Sequence, residues 1–358
     1  MKHAHPEIDF HRRAVRLWLL AVAALIFATV LVGGATRLTE SGLSIVEWRP
    51  VTGTLPPLSD SAWQTEFEKY RTSSQYQLLN PGMGIEEFKI IYWWEWAHRL
   101  LGRFVGAAFL APFLWFLWRG WIEPPWRTRF WLIFGLGAIQ GAVGWWMVAS
   151  GLEGRVSVSP DRLAFHLTLA CVIYAAVIWT VRELSPRALL GVPRRLRISA
   201  LALVVLVLVE IYLGALVAGL DAGLSYNTWP LIDGAFVPAW DRLTFLTPAW
   251  RNFFENDLTA QFNHRVAAYA LCLAAVLHVI DALRSKQYGT PLNGALVLAG
   301  GLFLQAAVGI ATLLFHTPIG LALLHQAMAM VVLTVAVVHA ERLMASGLIT
   351  ARTALQPG

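Results

Sequence analysis

The chain has 358 residues, of which 57% are hydrophobic and only 14% are charged, whereas soluble domains carry roughly 25% charged residues. Long uncharged segments recur along its whole length, as a hydrocarbon layer about 30 Å thick requires. The formal net charge of +6 resides in short loops between these segments, which favours a basic membrane face over a nucleic-acid-binding protein. The composition therefore predicts an integral membrane protein embedded in a lipid bilayer.

Eight transmembrane helices are predicted from the apolar segments between charged residues. The second and the sixth begin with polar residues, so that hydropathy alone would shorten both. In chain order the predicted helices cover Leu17–Thr36, Glu95–Trp118, Phe130–Gly151, Leu163–Thr180, Ile198–Leu220, Gln261–Ile280, Leu292–Phe315 and Ile319–Ala340.

Lys and Arg residues predict the orientation of these helices. They cluster at the N-terminus, at the C-terminus and in the loops after the second, fourth and sixth helices, while the intervening loops are acidic or neutral. Since basic loops stay in the cytoplasm, both termini are predicted to be cytoplasmic. The two long loops, Arg37–Trp94 and Asp221–Ala260, are then predicted to face outward. We expect a multi-pass protein of a bacterial inner (cytoplasmic) membrane.

The two halves of the chain resemble each other. Four crossings restore the starting side, so the first four helices are predicted to repeat as the last four with the same orientation. This predicts an all-α fold of two duplicated four-helix bundles, covering residues 1–190 and 191–358. The matching segments are Gly42-Leu43-Ser44 with Gly223-Leu224-Ser225, His98-Arg99 with His264-Arg265, and Gln140 and Gly144 with Gln305 and Gly309.

Each half carries one histidine near the start of its second helix and one near the start of its fourth: His98 and His166, then His264 and His325. An imidazole inside a membrane is costly and indicates function. Two imidazoles at matched depth on different helices can hold an iron from both faces. The duplicated pattern therefore predicts two haem sites. The alternatives are interfacial histidines, or a zinc or copper site that lacks a third ligand.

Charged residues beside these histidines give two further hypotheses. Arg99 and Arg265 directly follow a histidine and are candidates to hold haem propionates bidentately; the alternative is that they extend to the membrane interface. Glu95 stands three residues before His98, where the second half has Gln261. A carboxylate moves protons and an amide does not, so the first half is predicted to be catalytic unless Glu95 only ends the helix at the interface. Glu210, in the fifth helix, has no evident partner in the sequence.

Glu95-x-x-His98-Arg99, the paired Gly-Leu-Ser loops and the four-histidine duplication together resemble the haem A synthase family of cytochrome oxidase assembly. The resemblance covers nearly the whole chain. It implies an enzyme that oxidises the C8 methyl group of haem O to a formyl group, giving haem A. It further implies that His98 and His166 ligate the substrate haem, that Glu95 is the catalytic carboxylate, and that His264 and His325 ligate a haem b cofactor.

The resemblance also implies haem O as substrate, a haem O synthase and oxidase assembly factors as partners, and an electron acceptor that the sequence does not identify. Some relatives carry a cysteine pair in the first outer loop; Arg37–Trp94 has none, so the chain resembles the cysteine-free branch. An iron held by two imidazoles has no open position for dioxygen, which favours water as the oxygen source. The alternatives are a bis-histidine b-type cytochrome that only relays electrons, and a transporter built from parallel repeats.

Overall fold

The computed structural model describes residues 6–152, 154–185 and 190–345. Within these ranges eight helices are long and apolar enough to cross a membrane, and the only β-type pairing is an isolated bridge between Ile232 and Ala235. The all-α membrane class predicted from the composition is thereby confirmed. The helices are α1 (Pro6–Leu38), α2 (Ile85–Trp118), α3 (Pro124–Leu152), α4 (Pro160–Glu183), α5 (Arg194–Gly219), α6 (Asp257–Arg284), α7 (Thr290–Leu314) and α8 (Ile319–Met344).

Most of these helices continue beyond their predicted apolar segments. The largest difference is in α1, which begins at Pro6 rather than at Leu17. The next largest is in α2, which begins at Ile85 rather than at Glu95. Its first turns pack against a helix of the first long loop, Asp60–Arg71, so that this part of α2 is stabilised by protein contacts instead of by lipid. The contact is an aromatic cluster of buried side chains: Trp63, Phe67, Tyr70, Phe88 and Tyr92.

The two long loops follow odd-numbered helices and therefore lie on one side of the eight-helix array. We call this the loop side, and the opposite side, where α1 begins and α8 ends, the terminal side. Both loops contain short helical segments, which give them defined shapes over the helix ends. The segments are Thr52–Thr54, Asp60–Arg71 and Ser74–Leu78 in the first loop, and Ala222–Ser225, Trp240–Leu243, Ala249–Arg251 and Asn252–Glu255 in the second.

Contacts between the long helices form two closed rings. In each ring every helix touches the next and the last touches the first, α1 to α4 in one ring and α5 to α8 in the other. The rings meet where α1 and α4 face α5 and α8. Buried side chains such as Leu19, Val177 and Leu333 fill this junction. The predicted boundary between residues 190 and 191 adjoins residues 186–189, which lie outside the described ranges, and it stays a prediction.

Candidate functional site

Each of the four predicted histidine ligands packs against a glycine on the preceding long helix. A Cβ atom at these glycines would come 2.7 to 3.0 Å from the Cε1 atom of the imidazole, a distance that real Cβ contacts rarely or never show. Only glycine therefore lets the ring lie this close to the neighbouring helix. The pairs, with the Cβ to Cε1 distance, are Gly33 with His98 (2.7 Å), Gly144 with His166 (2.9 Å), Gly214 with His264 (3.0 Å) and Gly309 with His325 (2.7 Å).

The two histidines of each half lie near one another. His98 is within electrostatic range of His166, and His264 of His325. All four side chains are half-buried. The Nδ1 atoms of His98 and His325 are nevertheless buried without a hydrogen-bond partner among the described residues. The structure thus brings together the two histidines that the sequence assigned to each site.

A polar residue stands one helical turn before each of these glycines: Thr29, Gln140, Glu210 and Gln305. The two glutamines make the same contact in both halves. Each donates from Nε2 to the backbone carbonyl of its histidine, His166 or His325, at 3.0 Å. These bonds tie the loop-side turns of α4 and α8 to their neighbouring helices.

The other two positions differ between the halves. Oε1 of Glu210 lies 2.9 Å from Nδ1 of His264, with the side chains 17% and 23% exposed. Thr29, at the matching place, donates its hydroxyl to the carbonyl of Leu25 within its own helix. Glu210, which had no evident partner in the sequence, is therefore the acid that faces a histidine. A carboxylate at Nδ1 fixes the orientation of an imidazole and strengthens its other nitrogen as a metal ligand.

Glu95 fastens the first long loop to α2. The residue is only 2% exposed. Its Oε2 accepts from the Ser44 hydroxyl (2.7 Å) and the Ile45 amide (2.8 Å), and its Oε1 accepts from Nε and Nη2 of Arg99 (3.0 and 2.6 Å). No hydrogen bond joins it to His98 in the described part of the chain. The carboxylate is held in one position beside the site.

Gln261 makes the corresponding contacts in the second half, but it donates to the loop where Glu95 accepts from it. Its Nε2 donates to the carbonyls of Ala222 and Tyr226, both at 3.0 Å, and its Oε1 accepts from Nε of Arg265 at 2.9 Å. The first loop offers N–H and O–H donors where the second offers carbonyl oxygens. The difference between Glu95 and Gln261 is therefore matched by the backbone of each loop.

Arg99 and Arg265 are both directed to loop carbonyls. Arg99 donates to the carbonyls of Ile45 (2.7 Å) and Glu47 (3.0 Å), in addition to Glu95. Arg265 donates to those of Tyr226 (3.1 Å) and Leu231 (3.2 Å). Each guanidinium thus holds a loop over the ends of its helices. Their contact with haem propionates stays a prediction.

Sequence reasoning missed a second pair of membrane-embedded histidines. His278 of α6 and His339 of α8 are each 3% exposed, and their Nε2 atoms are 2.9 Å apart. Both lie near the ends of predicted transmembrane helices, whereas the four predicted ligands lie near the helix starts. Their spacing was the available signal, because each lies fourteen residues after a predicted ligand, His264 or His325.

The fold and the site define a class: an all-helical membrane protein in which each of two helical rings holds a pair of half-buried histidines against glycines. The model of the COX15-CtaA family, described as cytochrome oxidase assembly protein, matches residues 16–337. The chain is 61% identical to a haem A synthase of Rhodopseudomonas palustris (strain BisA53) over 331 residues, 92% of this chain and 91% of the relative. It is 60% identical to that of Bradyrhizobium diazoefficiens, over 92% of both chains. The chain belongs to this family, which confirms the resemblance seen in the sequence.

Proposed function

We propose that this protein is a haem A synthase, which oxidises the C8 methyl group of haem O to a formyl group through a hydroxymethyl intermediate. Water supplies the oxygen, and the electrons pass to an acceptor that is not identified. The observation that carries this proposal is that each half contains two histidines whose rings pack against glycines, in a chain that belongs to the COX15-CtaA family. The names of the relatives support the same activity.

In this proposal the first half binds the substrate. His98 and His166 are the axial ligands of haem O. Gly33 of α1 and Gly144 of α3 allow the two imidazoles to lie close to these neighbouring helices. Glu95 takes the proton of the methyl group or activates the attacking water. Its bonds to Ser44, Ile45 and Arg99 position it for that role.

The second half binds a haem b cofactor through His264 and His325, and the residues present fit this group. Gly214 and Gly309 let the two rings pack closely against α5 and α7, and the carboxylate of Glu210 faces Nδ1 of His264, which directs Nε2 away from it. A haem with two imidazole ligands supplies one-electron redox chemistry. The absence of a carboxylate at position 261 agrees with a site that transfers electrons and not protons.

We place the enzyme in the bacterial inner membrane with both termini in the cytoplasm, so that both haem sites lie toward the outer surface. Haem O is then delivered within the membrane, by a haem O synthase. The basic residues of the terminal side, which include Arg194, Arg195 and Arg197 at the start of α5, support this orientation.

Chromatography of extracted haems tests the proposed reaction. The full-length protein is expressed together with a haem O synthase in a host without haem A. We expect haem A with the wild type and only haem O with the double variant His98→Ala, His166→Ala. A wild-type extract that contains haem b and haem O but no haem A would instead support an electron-relaying cytochrome.

A further inference from the structure

Two successive glycines of α1 face the two halves of the protein. Gly33 packs against the ring of His98 in the first half, whereas Gly34 packs against Gln326 of α8. Gln326 directly follows His325 in the second half. A Cβ atom at position 34 would lie 1.9 Å from Oε1, 2.8 Å from Cδ and 3.0 Å from Nε2 of Gln326. With any larger residue at position 34, this amide could not keep its place against α1.

The amide of Gln326 is also hydrogen-bonded to α1. Its Nε2 donates to the backbone carbonyl of Val30 at 2.9 Å, one helical turn before Gly34. Gln326 is half-buried and Val30 is buried. A hydrogen bond shielded from water is costly to lose, because no water replaces the missing partner. The contact therefore fixes α8 against α1 at this level.

These contacts join the two histidine pairs by an unbroken series of neighbours. His98 packs against Gly33, and Gly34 is the next residue of the chain. Gly34 contacts Gln326, and His325 is the residue before it. A shift of α8 relative to α1 therefore changes the position of His325 relative to His98.

The duplication creates a second junction of this kind between α4 and α5, but with apolar side chains. The counterparts of Gly34 and Gln326 by repeat position are Ala215 and Leu167. Ala215 belongs to a cluster of buried apolar residues against which Leu167 packs. Apolar packing has no preferred direction, whereas a hydrogen bond has a defined length and angle. Of the two junctions, the one between α1 and α8 therefore has the more closely defined register.

We propose that Gln326 is a positioning residue, which holds the haem b site of the second half at a fixed distance and orientation from the substrate site of the first half. This inference rests on the proposed function, because it takes His98 and His325 as haem ligands. A misplacement of about 1 Å in a site can cost ~10²-fold in rate, so the loss of one contact between the sites is enough to affect the reaction. Because the contact is shared, a change made in either half should be detected in the other.

The spectroscopic signature of haem b in variants of this junction tests the inference. Full-length proteins are purified without haem O, and the electron paramagnetic resonance and midpoint potential of the low-spin haem b are measured. Gln326→Leu removes the hydrogen bond, Gln326→Glu keeps the shape of the side chain but cannot donate as a carboxylate, and Gly34→Ala displaces the amide from the first half. All three are expected to shift both signatures. When a haem O synthase is co-expressed, haem A formed per bound haem b should fall by roughly 10-fold.

Two controls separate this role from general loosening of the structure. Thr334→Val removes another hydrogen bond between the halves, which joins Thr334 of α8 to Tyr174 of α4 at 2.8 Å, and it should keep the wild-type signatures and haem A yield. Gly34→Ala acts through the amide, so adding it to Gln326→Ala should cause little further change. The signatures belong to the haem b that is bound, so they do not depend on how much of a variant folds.

Wild-type signatures and haem A yields in Gly34→Ala and both Gln326 variants would overturn the inference and leave the proposed function intact. Equal shifts in Thr334→Val would overturn it as well, because any weakening between the halves would then have the same effect. Full additivity of Gly34→Ala and Gln326→Ala would show that the glycine does not act through the amide. A wild-type protein that binds haem b and haem O but forms no haem A would overturn the proposed function itself.

Discussion

The carboxylate of Glu210 lies 2.9 Å from Nδ1 of His264, whereas the matching position beside His98 is Thr29. Together with Glu95 and Gln261, this gives each half one carboxylate near its first histidine, in different places. The first-half carboxylate is on the histidine's own helix and faces the loop. The second-half carboxylate is on the neighbouring helix and faces the imidazole. The two sites are therefore built alike but differ in where the carboxylate lies.

Glu210→Gln is expected to raise the midpoint potential of the haem bound by His264 and His325. The carboxylate strengthens the imidazole as a donor and stabilises the ferric over the ferrous state. Loss of such a partner typically costs 10–100-fold in metal affinity, and each tenfold change in the ferric state alone corresponds to about 59 mV for one electron. A redox titration of the purified protein measures the shift. Thr29→Ala is the control and should leave this potential unchanged; an unaltered potential in Glu210→Gln would contradict the role of the carboxylate.

Gly309→Ala is expected to disturb haem binding in the second half, because its Cβ would lie 2.7 Å from Cε1 of His325. Extra volume in a packed site typically costs about 1–3 kcal/mol, and here the imidazole must move. Gly300→Ala is a matched control on the same helix, with nothing within 4 Å of its Cβ. The low-spin absorbance per chain should fall in Gly309→Ala alone. Equal haem content in the two variants would show that the glycine contact is not required.

Glu95→Gln is expected to accumulate haem O or the hydroxymethyl intermediate while keeping haem b. A positioned acid or base typically contributes ~10²–10⁴ in rate. Since Glu95 also fastens the loop, Ser44→Ala serves as control: it removes one bond to the carboxylate but keeps the charge. Haem A synthesis near the wild-type level in Ser44→Ala, with a large loss in Glu95→Gln, would separate chemistry from loop attachment. Equal losses in both variants would contradict the catalytic role.

The eight membrane spans could be predicted from the sequence, because they depend on hydropathy. The early start of α2 at Ile85 could not, since it depends on Trp63, Tyr70 and other aromatic residues of a distant loop segment. Hydropathy alone predicts a polar helix end at Glu95. In the structure this carboxylate is buried and accepts hydrogen bonds from Ser44 and Ile45 of the first long loop.

The candidate site likewise has features that the sequence predicts and features that depend on tertiary contacts. The four histidines and the Gln140 and Gln305 repeat were visible as sequence spacings. The partner of Glu210 was not, because it lies on another helix and its identity depends on how α5 packs against α6. The sequence predicted that Arg99 lies near the start of its helix, whereas the structure places it inside α2, which begins at Ile85. The loop carbonyls that it contacts could be identified only in three dimensions.

Topology reporters test the proposed orientation. Fusions at Arg197 and at the C-terminus are expected to score cytoplasmic, and fusions at Ser59 and Asp241 periplasmic, because the loops rich in Lys and Arg stay inside. All four fusions should be made on the full eight-helix chain or on truncations that end after a complete helix. A periplasmic C-terminus would contradict the orientation and the placement of the four histidines toward the outer surface.

The division of labour between the two halves is the central claim, and the haem composition of four single variants tests it most directly. His98→Ala, His166→Ala, His264→Ala and His325→Ala are purified from cells that make haem O, and their bound and extracted haems are measured by absorbance and chromatography. The first two should lose haem A formation but keep the low-spin haem b of the second half, and the last two should lose that haem b signal. Loss of the haem b signal in His98→Ala or His166→Ala, with its retention in His264→Ala and His325→Ala, would reverse the assignment and contradict the account.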